Sequence, residues 1–367
     1  MKNKFTLILL LLPLLFTGCG KGVFIPGRQV RFRVSSPEVS TRTAYEGTVT
    51  GTMERINWIP ETDVLRIYCA ESPATMADYR IVDVEAQGIK SVASIEAVES
   101  PLTWGEDELH TFYGMYPSPN MFGSDPDGDA FSISDTRATW MIPVNQVVTR
   151  EGTTNVYQPD MRYATLLAKA TGSQTEESVV IPFYPMFNAF QISISAGDND
   201  ALHITSFTLT QAGDGAMVAG QIYTAPLMPD DFDNVNYPLD AKQIDLVEGT
   251  TSSPSVTVDF TTLDGGSLVL TREGGPVTFT VFTLPSNLDA VTIAFDGEET
   301  GRVTLALKEK DGPYMKFGRC KKFILSGLSF PNVETITAGG DQINWNGTVG
   351  EDLYWQGAEG ENINWRN

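Results

Sequence analysis

Apolar and polar residues alternate with a period of two along most of this chain. In "QVRFRV", Val30, Phe32 and Val34 are interleaved with Arg31 and Arg33, so an extended backbone puts three apolar side chains on one face and two cations on the other. "DVLRIYC", "FQISISA", "ITSFTLT", "SVTVDF", "VTFTVFTL" and "RVTLALK" are likewise rich in Val, Ile, Thr and Phe, which suit a half-buried pleated surface. Clusters of Gly, Pro, Asn and Asp such as "SPNMFGSDPDGD", "SAGDNDA" and "LDGGS" punctuate them. Helical periodicity is scarce, and "PDMRYATLLAKA" (159–170) is the best short candidate. Many short strands between turns, without alternating helices, predict an all-β chain of antiparallel sandwiches with few short helices.

The chain is too long for one small core and comfortable for two domains. Its 41% hydrophobic content with 33 Gly and 21 Pro fits a turn-rich globular protein. The polar stretch "TGSQTEES" (171–178) is the expected junction, giving an N-terminal domain over 19–178 and a C-terminal domain over 179–338. A net charge of −21 repels phosphate backbones and anionic lipid surfaces, so no nucleic-acid partner is expected.

The first residues are of another kind. Lys2 and Lys4 precede an apolar run from Phe5 to Phe16, the charged and greasy parts of a secretory signal over 1–18. The run falls short of the roughly 20 residues that a spanning helix needs. Phe16-Thr17-Gly18-Cys19 resembles a lipobox, with Phe16 where leucine is usual. That resemblance implies cleavage before Cys19 and a lipid anchor on it, each buried methylene contributing about 0.8 kcal/mol; the alternative is an unmodified cysteine in an ordinary signal. Of the remaining cysteines, Cys69 shares the parity of Leu65 and Ile67 and should face a core. Cys69 and Cys320 read as buried free thiols, with a disulfide as the alternative in an oxidising compartment. His110 and His203 stand alone on strand-like stretches and read as structural or merely exposed.

The C-terminal segment 339–367 carries a ten-residue repeat, "GDQINWNG", "GEDLYWQG" and "GENINWRN", beginning at Gly340, Gly350 and Gly360. Each copy sets an aliphatic residue two before a tryptophan: Ile343 and Trp345, Leu353 and Trp355, Ile363 and Trp365. On short strands each pair shares a face. One reading is a small meander covering a core edge. The other is an aromatic, acidic surface offered to a partner, since Trp is enriched at interface hot spots.

Catalytic signatures are missing: there is no G-x-S-x-G, H-E-x-x-H, Walker loop or Cys-His arrangement. No enzymatic activity, cofactor or metal site is assigned. "DPDGDAFSISDT" begins like a calcium loop with Asp125, Asp127 and Asp129, but Ala130 and Thr136 stand where a glycine and a bidentate acid belong. It reads as a polar turn.

Taken together, "TRTAYEG" (41–47), "ERINWIPETDVLRIY" (54–68), "LTWGEDELHTFYGMYPSP" (102–119), "PDMRYATLLAKA" and "VVIPFYPMFNAFQISI" (179–194) resemble the fimbrillin-like family, lipoprotein precursors of type V pili and related surface proteins of anaerobic Gram-negative bacteria. The likeness spans about Gln29 to Ala338. It implies two tandem β-sandwich domains of transthyretin-like or Ig-like type, a lipid-anchored place at the outer membrane and cell surface, and other fimbrial subunits as partners. It further implies that an arginine-specific protease removes an early strand and that a neighbouring subunit's strand fills the groove. Arg42, before Thr43 in a polar loop, fits the cut best; Arg28, Arg31 and Arg33 fall within or before the strand to be removed. The alternative for Arg42 is an ordinary loop arginine. A donor needs alternating apolar side chains in register, and the tail pairs meet this but are interrupted by Gly347, Gly350, Gly357 and Gly360. The alternative function is a non-polymerising surface lipoprotein that binds a host protein or a glycan.

Overall fold

A computed structural model describes residues 27–35, 58–87, 90–135, 137–150, 152–213, 218–224, 244–286, 288–307 and 322–330, and the backbone of 344–345 and 349–351. Among these residues the chain is all-β, as the period-two pattern predicts; the other regular elements are short 3-10 turns, such as Pro119–Phe122 and Met161–Tyr163.

The first unit is built from β1 (Phe32–Ser35), β2 (Val64–Tyr68), β3 (Met76–Gln87), β4 (Lys90–Ala97), β5 (Leu109–Tyr116), β11 (Leu166–Ser173) and β12 (Val179–Pro185). These seven close on themselves in the order β1-β12-β11-β5-β2-β3-β4, with β4 pairing back onto β1. The faces of the expected sandwich are therefore joined along their edges. A register shift between Ile81 and Asp83 in the β3–β4 hairpin supplies local curvature. Leu65, Ile67, Ile81, Phe112, Ile181 and Phe183 fill the interior and are fully buried.

Five strands between β5 and β11 leave this barrel: β6 (Ser132–Ile133), β7 (Ala138–Ile142), β8 (Asn145–Gln146), β9 (Val148–Arg150) and β10 (Val156–Pro159). Of these, β7, β8 and β10 pair with the second half of the chain, while β6 pairs with β7 and β9 with β10. The strands of that half are β13 (Asn188–Ser195), β14 (Ala201–Gln211), β15 (Ala219–Thr224), β16 (Ile244–Leu246), β17 (Ser252–Ser253), β18 (Ser255–Asp259), β19 (Leu268–Thr271), β20 (Val277–Thr283), β21 (Val291–Gly297), β22 (Gly301–Ala306), β23 (Lys322–Ser329), β24 (Asn344–Trp345) and β25 (Val349–Glu351). One sheet runs β24-β23-β13-β20-β10-β9, with β25 also on β23; a second runs β22-β21-β14-β18-β8, with β19 on β14; a third runs β16-β15-β7-β6, with β17 on β15. The first two face each other through aromatic rings. Phe279 of β20 meets Phe207 of β14 at 5.0 Å, Phe260 at 5.2 Å and Phe295 of β21 at 6.4 Å.

The two halves repeat one arrangement. β1 pairs parallel with β12 and antiparallel with β4; β13 pairs parallel with β23 and antiparallel with β20. Each half thus opens with a strand held between a parallel and an antiparallel neighbour.

The expected junction at 171–178 takes in the last three residues of β11 and the turn to β12, its paired neighbour: Leu166 faces Pro185 and Ala168 faces Phe183. The barrel therefore retains β12, and the chain passes into β13 through Met186 and Phe187. A hairpin turn is as polar as a linker, so composition alone does not separate them. The helix expected in 159–170 is also replaced. Asp160 caps the turn Met161–Tyr163, and β11 starts at Leu166. Leu166, Leu167 and Ala168 are all buried, so that stretch of strand lacks the alternation that would have identified it.

Candidate functional site: the slot filled by β1

β1 closes the barrel with four residues. Val30, just before it, and Phe32 and Val34 within it point inward and are 1%, 4% and 0% exposed. Phe32 lies edge-on to Tyr79 at 5.3 Å and to Phe112 at 5.0 Å. Burying each apolar side chain contributes roughly 1.5–3 kcal/mol. On one edge Phe32 faces Val179 and Val34 faces Ile181 of β12; on the other Val34 faces Ala93 of β4. Without β1, β4 and β12 would each present a row of unpaired backbone groups, with an apolar trough between them.

The chain entering β1 is fastened separately. Gly27 N–H donates to the Trp104 carbonyl (2.8 Å), Trp104 N–H to the Arg28 carbonyl (2.9 Å), and Val30 N–H to the Leu102 carbonyl (3.0 Å). His110 holds this 102–105 segment from beneath: its Nε2 accepts from Gly105 N–H at 2.8 Å, and its ring lies against Trp104 at 4.9 Å. The imidazole is fully buried, and burial holds its pKa below the ordinary 6.5. Protonating Nε2 would also remove the acceptor for Gly105 N–H. A Cβ at Gly105 would lie 2.0 Å from the Glu71 carbonyl oxygen, so the turn admits no larger residue. The Tyr79 hydroxyl accepts from Leu102 N–H at 2.8 Å, and burial pushes its pKa to about 12.

Cys69 is a buried free thiol that donates to Glu71 Oε2 at 3.2 Å. Burial, reinforced by that carboxylate, raises its pKa to about 12 and leaves it unreactive. Cys320 lies outside the described residues.

The arginines of the first segment belong to the paired stretch. The Arg28 guanidinium donates to the Gln174 carbonyl, Arg33 meets Glu85 at 2.8 Å, and Arg31 is exposed. Arg42 and Cys19 lie outside the described residues, as do Ile343, Leu353, Trp355, Ile363 and Trp365. Trp345 is described as backbone only, in β24, opposite Leu328 of β23. The acidic loop is engaged with its own protein. Asp125 accepts from Asp127 N–H and meets Arg162 at 3.5 Å, while the Asp127 carboxylate accepts from the Tyr163 hydroxyl at 2.5 Å.

Sequence reasoning found the inward face of β1 but missed the 102–105 clamp and His110 beneath it. The signal available was the apolar company of His110 in "LHTFYGMY", with Phe112 at the same parity.

No family model matches the chain, and no curated protein matches it. Solved structures do. A candidate cell adhesion protein of Bacteroides ovatus is 12% identical with a TM-score of 0.49, covering 89% of this chain and 99% of its own. One of Bacteroides uniformis is 12% identical with a TM-score of 0.43, covering 89% and 98%. The tip fimbrial protein Mfa3 of Porphyromonas gingivalis, with C-terminal truncation, is 9% identical with a TM-score of 0.34, covering 88% and 99%. These structural neighbours are candidate cell adhesion proteins and a fimbrial protein.

Proposed function

We propose that the chain is an exported structural or adhesive subunit of a surface fimbria, and that the β1 slot is where a strand of a neighbouring subunit enters. The observation that carries this reading is the position of β1: among the described residues, a four-residue strand is the sole link between β4 and β12 in the closed barrel. Loss of so short a strand opens the barrel along one seam, and main-chain pairing with an incoming strand restores it. In this reading Cys19 carries the lipid that holds the precursor at the outer membrane, and cleavage after Arg42 frees β1. The tail with Ile343, Trp345, Leu353, Trp355, Ile363 and Trp365 is the candidate donor or partner-binding segment. The chemistry required is strand pairing and apolar burial, with no catalytic group.

The test is to treat the purified precursor with an arginine-specific protease. The expected result is a new N-terminus at Thr43 and a ladder of oligomers that resists mild denaturant. A precursor that stays intact and monomeric would refute the exchange. Tail-dependent binding on a glycan array without oligomers would favour the non-polymerising surface lipoprotein.

A further inference from the structure

A second constellation lies in the second half of the chain, where the turn joining β21 and β22 sits on the start of β14. Glu298 N–H donates to the His203 carbonyl at 3.0 Å. The Glu299 carboxylate returns two contacts: Oε2 accepts from His203 N–H at 2.8 Å, and Oε1 lies 2.7 Å from His203 Nδ1. The seat is close-fitting, because a Cβ on Gly297 would meet Thr300 Oγ1 at 2.6 Å and the His203 carbonyl oxygen at 3.0 Å. The register of β14 against β21 shifts between Ile204 and Ser206, one residue beyond this contact, the kind of bulge that re-aims a strand's side chains. One ligand atom from each of His203, Glu298 and Glu299 falls within 4.8 Å of the other two, an imidazole and two carboxylates all open to solvent.

We propose that His203, Glu298 and Glu299 bind a divalent transition-metal ion of the zinc class. The imidazole already faces the Glu299 carboxylate at 2.7 Å, and Glu298 adds a second carboxylate beside them. An imidazole nitrogen in the set favours zinc, copper or nickel over calcium and magnesium, which prefer oxygen alone. Tetrahedral ligand bonds of roughly 2.0–2.2 Å set ligand atoms about 3.4 Å apart, so the 2.7 Å His203–Glu299 contact widens as an ion enters, and three protein ligands leave a position for water. On its other side His203 faces Val269 of β19, which is uncharged and 44% exposed, so the charged groups facing the imidazole are Glu298 and Glu299. The ion takes the place of the proton shared by Nδ1 and Oε1. Below the His203 pKa one proton therefore passes to solvent for each ion bound, with no change of oxidation state.

The test is calorimetric titration of the purified full chain with zinc chloride, and with cobalt(II) chloride, whose visible spectrum separates nitrogen and oxygen ligation from thiolate. One ion per chain should bind with a thiolate-free spectrum, more weakly at about pH 5.5 than at about pH 7.5, because the proton competes for the imidazole. His203→Gln should weaken binding by at least the roughly 10- to 100-fold that loss of an outer-sphere partner costs. Glu298→Gln should weaken it as well; this variant keeps the backbone bond that seats the turn, so its loss of binding reports ligation rather than folding. Affinity unchanged in both variants, or a thiolate spectrum, would overturn the assignment.

Discussion

β1 and β13 occupy equivalent places, each between a parallel and an antiparallel neighbour, but they are held to very different degrees. β13 has eight residues, pairs at seven positions with β20 and at six with β23, and buries Phe190, Ile192 and Ile194 completely. β1 has four residues and pairs at four positions with β12 and three with β4. The same local geometry is therefore carried by a long ladder in one half and by a short one in the other. What distinguishes them is the length of ladder and the number of inward side chains, not the kind of neighbour.

The comparison is most severely tested by truncating the aromatic anchor of the longer strand. Phe190→Ala, which removes a fully buried ring tilted against that of Phe323 at 4.9 Å, should cost about 3–5 kcal/mol in denaturant unfolding. It should destabilise the second half while leaving exchange of the β4 and β12 amides unchanged. Val34→Ala in β1 should cost about 2 kcal/mol, with its effect confined to the barrel. Hydrogen exchange in β4 and β12 should accelerate while β13 and β20 stay protected; uniform acceleration would mean that β1 is no more separable than β13.

The two histidines should then give pH responses of opposite sign. His110 has a folded pKa below 6.5, so the unfolded chain takes up the proton first. Its contribution is complete above about pH 6.5 and is lost as pH falls through the folded value. The barrel should loosen in acid, first at the 102–105 clamp, and amide exchange at Gly105 read against pH checks this. His203 is raised above 6.5 by its hydrogen bond to Glu299, so its contribution is complete below about pH 6.5 and is lost as pH rises through the folded value. Glu299 is lowered below 4.5, chiefly by the His203 backbone N–H, so its share is present above about pH 4.5 and is lost as pH falls through the folded value. The pair is therefore strongest between about pH 4.5 and 6.5. Being exposed, it should contribute less than about 1 kcal/mol, and His203→Gln should flatten the stability profile in that window.

The alternation in "QVRFRV" and "FQISISA" made the strands legible, and the inward set Val30, Phe32 and Val34 could be read directly from it. Closure of the barrel could not, because it depends on Phe32 meeting Val179, a pairing that no local pattern encodes. The excursion of β6 to β10 was hidden for another reason: Ser132–Ile133 and Asn145–Gln146 are too short to display any period. The clamp around Trp104 and the cluster at His203 were equally hidden, since each draws its members from strands and turns that the fold brings together. A lone histidine in sequence carries no information about which carboxylate will face it.

The parallel pairing of β1 with β12 also has a kinetic consequence. A chain made from its N-terminus delivers Phe32 long before Val179, its partner 147 positions later. Until that late segment emerges, the early ribbon has no finished cradle to settle into, and closing so long a loop is the slow, entropically costly step. The newly made chain therefore passes through an interval in which its seam is still unsewn, and any other ribbon with suitable side chains competes for the place during that time.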